Sequence, residues 1–160
     1  MLDAAANAGF AVSGEVAREI LKEPRGMELR ASDPQGFAQA MLEREVAAYE
    51  AKAAAGGPVI FDRGFPDIVG FHDLSGLPIP PDLDRACTSL RYDGPIFRAP
   101  PWKAIYVADP ERIQDWDEAI ASDAAVSAAW RRYGYELSDL PLASVEERLA
   151  FVVLALARPA

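Results

Sequence analysis

The feature that most restricts the fold is an alternation of brief apolar runs with longer helix-forming stretches. FAVSG (10–14), PVIF (58–61), PIFR (95–98) and YELSDL (135–140) read as strands. PVIF carries β-branched residues with no polar alternation, as a strand buried on both faces does. Strands separated by helices imply an α/β fold: a three-layer arrangement with a parallel sheet covered by helices on both faces. In such sheets ligands gather beyond the carboxyl ends of the strands.

The helices announce themselves by their ends. LDAAANA (2–8) is Ala-rich and closes at Gly9, and EVAREILK (15–22) puts Val16 and Ile20 on one face. Residues 23–32, with Pro24, Gly26 and mixed charges, read as a loop. Asp33-Pro34 is an N-cap followed by proline at the first helical position, and Phe37, Met41, Val46 and Tyr49 supply apolar contacts as far as Gly56-Gly57. Pro66 opens a helix carrying Ile68, Val69 and Phe71, and a proline-limited loop with a short helix follows. Asp109-Pro110 repeats the cap-plus-proline start, ahead of a face holding Ile113, Trp116, Ile120, Ala124 and Trp130. Those tryptophans read first as core anchors. Ser144 and Glu147 form a capping box for a last helix with Val145, Leu149, Val152 and Leu156.

Composition excludes several classes. The 160 residues suit one domain, and a formal charge of −9 disfavours a general nucleic-acid or anionic-membrane surface. Cys87 is the only cysteine, so neither a disulfide framework nor a cysteine zinc site arises. No apolar run is long enough to span a bilayer, and no leader pattern begins the chain, which points to the cytoplasm.

The chemistry concentrates in GGPVIFDRGFPDIVGF (56–71), where an apolar strand ends in Asp62-Arg63-Gly64. An acid at the carboxyl end of a buried strand holds a metal, orients water or accepts a proton. Equally, Asp62 reads as a cap for the segment starting at Pro66 or as an ion-pair partner of Arg63. Glu15 and Arg18 lie just past the first strand, three apart on one helical face. They read either as a surface ion pair or as a second carboxylate and guanidinium at the same cleft mouth.

These segments, together with DPQGFAQAMLEREVAAYE, LRYDGPIFRAPPWKAIYVADPERIQDWDEA and RRYGYELSDLPLASVEERLAFVVLAL, resemble the NadR-type AAA domain family of P-loop NTPases along essentially the whole chain. The resemblance implies a single domain over 1–160 that binds ATP or GTP with Mg²⁺ and acts as an ATPase or small-molecule kinase. It implies that Asp62 holds Mg²⁺ or polarises the nucleophile, and that Glu15 and Arg18 touch the phosphoryl acceptor. Arg63 and Asp67 would shape the acceptor side, and Arg112 in a lid-like helix would stabilise the transferring phosphoryl group. Ile113 stands where relatives often have a second basic residue, and Arg112 also reads as a solvated helix residue. His72 lies outside these motifs and reads as structural.

One departure stands out. The sequence contains no G-x-x-x-x-G-K-[ST], the loop whose backbone N–H groups cradle phosphates. Relative to the family, a strand and that loop, roughly 15–20 residues, are missing before Met1. Loss of a central strand is expected to split the sheet, bare two inner edges and leave folding marginal and catalysis largely absent. A non-catalytic domain that binds a partner or lipid headgroup is the alternative reading, and metal-assisted hydrolysis by Asp62 and Glu15 is a third.

Overall fold

A computed structural model describes residues 1–106 and 115–157. The chain runs α1 (Leu2–Asn7), β1 (Ala11–Ser13), α2 (Val16–Lys22), α3 (Gly26–Ser32), α4 (Pro34–Lys52) and β2 (Val59–Phe61). It continues with α5 (Phe65–Ser75), α6 (Pro81–Ser89), β3 (Ile96–Arg98), a short 3₁₀ turn (Lys103–Ile105), α7 (Trp116–Arg132), β4 (Leu137–Asp139) and α8 (Val145–Leu156). The protein is therefore mixed α/β, mostly helical, with short parallel strands.

The strands do not form the one continuous sheet expected. β1 pairs with β2 from Ala11↔Val59 to Ser13↔Phe61, and β3 pairs with β4 from Ile96↔Leu137 to Arg98↔Asp139. Both pairs are parallel, and each is a separate two-stranded sheet. Helices join them. α5 follows β2 and α7 precedes β4, and the α5–α7 contact is the most extensive between elements. They meet at Gly70, where an added Cβ would lie 2.9 Å from Val126 Cα and Cγ2.

Helix starts follow the sequence signals. Asp33 Oδ1 accepts from Gly36 N–H at 2.9 Å and Pro34 takes the first turn of α4. Ser144 and Glu147 close their capping box on α8. Three expectations need correction. Residues 26–32 are helical: Pro24 ends α2, and Arg25, at φ 72°, turns the chain into α3. α5 begins at Phe65 rather than Pro66. Ile120 is exposed instead of buried in α7, and so are Val145 on α8 and Leu142, Phe151, Val153 and Leu154 around it. The Asp109-Pro110 start and Ile113 lie outside the described residues; within them, α7 is capped by Asp115 and Glu118.

The core centres on α4, α5 and α6, with Phe37, Met41, Leu42, Phe65, Ile68, Val69, Leu83 and Cys87 buried together. Accessible surface is 9548 Å². A compact monomer of this mass exposes roughly 7,800 Å².

Candidate functional site

Parallel pairing in register brings the carboxyl ends of β1 and β2 to one corner. Asp62 N–H donates to Ser13 O at 2.9 Å, which extends the ladder one step and fixes where both chains leave it. Glu15 and Arg18 follow β1; Asp62, Arg63 and Asp67 follow β2.

The corner is an acid–base cluster. Arg63 Nη1 lies 3.1 Å from Asp67 Oδ1, and Arg63 Nε lies 3.9 Å from Glu15 Oε1. Glu15 Oε2 is also 3.6 Å from Arg18 Nε. Asp67, with Glu15 and Asp62 behind it, holds the Arg63 guanidinium still more firmly protonated than usual. Asp67 is the hub, since its Oδ2 accepts from Gly64 N–H at 3.0 Å and from Trp130 Nε1–H at 2.9 Å. It thereby caps α5 and ties α7 to the corner.

Asp62 behaves differently. Its carboxylate is exposed and engages no hydrogen bond or ion pair among the described residues. Among the described residues Asp62 neither caps a helix nor pairs directly with Arg63, which it reaches only through its charge. Asp67 fills both roles. Arg112 lies outside the described residues.

The turn itself is unusual. Arg63, not Gly64, adopts the left-handed conformation, at φ 84°. A side chain there costs of order 1–3 kcal/mol, and such strain clusters where a group must be aimed. Gly64 is extended and is needed for space: a Cβ would fall 2.8 Å from Tyr92 Cε2 and Cζ. A test separates strain from charge. Arg63→Gly and Arg63→Ala both remove the ion pairs, but only alanine keeps the strain. Glycine should therefore be more stable than alanine by ~1 kcal/mol in chemical denaturation; equal midpoints would show that no strain is held there.

Beneath the corner lies a group that sequence reasoning missed. Glu45 on α4 is 2 % exposed, and its Oε1 accepts from Tyr92 O–H at 2.7 Å. Burial pushes its carboxyl up to about 7, against the opposing Tyr92 hydrogen bond and with the charges of Asp67 and Asp62 adding to the rise. Tyr92 packs its ring on Phe61, Phe65, Tyr49 and Trp130 at centroid distances of 5.2, 5.6, 5.5 and 5.6 Å. Trp130 is thus a core anchor, as its residue type suggests, and a positioning group for Asp67 as well. The signal for Glu45 was present: Phe37, Met41, Glu45 and Tyr49 recur at four-residue spacing, an acid set on an apolar stripe.

Among the described residues no three His, Cys, Asp or Glu side chains gather as a metal set. One free carboxylate at a strand end nonetheless suits a Mg²⁺ ion that arrives with phosphates and keeps its waters. Among the same residues, no helix is long and apolar enough to cross a membrane.

The AAA domain family model matches residues 2–148. The chain belongs to the AAA domain family. Neither a curated protein nor a solved structure matches it. This AAA domain is of the P-loop type, and its mixed α/β build with short parallel strands is consistent with a P-loop-like fold.

Proposed function

We propose that this AAA domain is a nucleotide-binding module for ATPase or small-molecule kinase chemistry, acting at the corner beyond β1 and β2. The observation that supports it is the convergence of Glu15, Arg18, Arg63 and Asp67 there, with the Asp62 carboxylate left exposed and without a hydrogen bond or close ion pair among the described residues. In this reading the two strand pairs are parts of one three-layer sheet. Bound Mg²⁺ would supply charge neutralisation and bridging of phosphate oxygens. Asp62 would hold that ion. Glu15 would orient the attacking group of the acceptor, while Arg18 and Arg63 bind its anionic side and Asp67 keeps Arg63 aimed. Arg112 would meet charge on the transferring group.

The sequence holds no Lys and N–H cradle for phosphates, so the chain as given should bind nucleotide poorly and turn it over little. The test is a thermal shift with Mg²⁺-ATP and Mg²⁺-GTP, on this chain and on one extended to the next in-frame upstream start. The extended form should gain ~2.7 kcal/mol at a hundredfold excess over Kd, and Asp62→Asn should remove most of the Mg²⁺-dependent part. A 160-residue chain that melts cooperatively and ignores nucleotide, with no response in the extended form, would sink the proposal. It would favour a second reading, a non-catalytic domain docking a partner, for which the exposed Phe151, Val153 and Leu154 on α8 already speak.

A further inference from the structure

About two turns along α5 from the corner lies a separate cavity of about 310 Å³, bounded by the first turns of α4, the end of α5 and the start of α6. Asp33, Gln35, Gln39, Leu42, His72 and Leu83 line it. That volume is in the range of small-molecule sites.

His72 decides its chemistry. The ring is 2 % exposed, and Nδ1 lies 2.8 Å from Pro78 O. A carbonyl oxygen only accepts, so Nδ1 carries the proton and Nε2 holds a lone pair in the neutral ring. Nε2 has no hydrogen-bond partner among the described residues, yet none of their buried side-chain nitrogens or oxygens is left unpartnered. Nε2 therefore keeps some exposure, and His72 is one of the residues that line the cavity. Other polar groups share the lining. Asp33 offers a carboxylate, of which only Oδ1 is engaged, by Gly36 N–H. The Gln39 amide nitrogen donates one of its two hydrogens to Glu43 at 3.2 Å, which leaves one N–H and the amide oxygen for a ligand. Leu42 and Leu83 supply apolar lining beside these polar groups.

We propose that this cavity is a binding site for a small, partly apolar compound bearing an O–H or N–H donor, for which phenol is the probe and whose donor His72 Nε2 accepts. The donor end would meet Nε2 and Asp33, and the apolar body would cover Leu42 and Leu83. The site is independent of the nucleotide reading, since none of its lining residues belongs to the Asp62 corner.

The chain has a single histidine, so its imidazole signals need no assignment. The experiment is a two-bond ¹H–¹⁵N correlation of the uniformly ¹⁵N-labelled chain, titrated with phenol and separately with anisole, which keeps the ring and oxygen but has no donor. In the free chain at a pH where the ring is neutral, Nε2 should resonate as the unprotonated nitrogen. Phenol should move it upfield saturably, and anisole should leave it in place. A proton on Nε2 in the free chain, no movement with phenol up to its solubility, or equal movement with anisole would each overturn the proposal.

Discussion

Replacing Glu45 with glutamine should flatten the pH dependence of stability. Folding raises this carboxyl from 4.5 to about 7, so the folded state binds a proton that the unfolded chain has released. Stability from this group is complete below pH 4.5, falls as pH rises toward 7, and levels off above it. The shift corresponds to ~3 kcal/mol lost by pH 8 relative to pH 4. Glutamine keeps an oxygen for Tyr92 O–H and carries no charge to strand among Asp62 and Asp67. Glu45→Gln and the parent should therefore have similar urea midpoints near pH 4.5, diverge as pH rises toward 7 and keep a constant gap above it, the variant being the more stable. Curves that stay parallel across that range would mean the carboxylate ionises at no cost, and the buried couple with Tyr92 would lose its energetic significance.

Gly70→Ala should be the most damaging small change between the two halves of the molecule. Alanine favours the helix over glycine by ~1 kcal/mol in isolation. Here that preference loses, because the new methyl would sit 2.9 Å from Val126 Cα and 3.0 Å from its backbone nitrogen. Backbone cannot rotate aside as a side chain does, so α5 and α7 must separate, at a cost of ~1–3 kcal/mol. Parting them also draws Trp130 away from Asp67. A fall in denaturation midpoint with unchanged slope is the expected result. Gly56→Ala is the control, since nothing lies within 4 Å of its Cβ, and it should be close to neutral. Equal behaviour of the two variants would refute the close crossing.

How far the sequence foretold this can be judged residue by residue. The four strands were legible because short apolar runs bounded by Gly and Pro have few other uses, and each is one to three residues shorter than its pattern. The helix starts at Asp33 and Ser144 were legible because a cap is a local interaction. α3 was not, since Pro24 and Gly26 obscured a helix that begins only after a left-handed residue. At the site, grouping Glu15, Arg18, Arg63 and Asp67 needed only the rule that parallel strands deliver their ends together. Which acid stays free was not legible: Asp62 and Asp67 differ through Trp130, 63 residues further along the chain. Tyr92 was hidden for the same reason, its position set by packing on Gly64 and α4 rather than by its neighbours in sequence.

Each strand pair has a further consequence. Among the described residues each of the four strands is paired along one edge only, and an unpaired edge is where another chain can add a strand. Each edge is three residues long, so no one of them is a strong template. What keeps copies apart in solution is largely the charge of −9. That protection reaches about 30 Å at 0.01 M salt and only about 8 Å at physiological ionic strength. Colloidal behaviour thus becomes a property of the buffer as much as of the fold, and low salt is the condition in which mutual repulsion between copies reaches furthest.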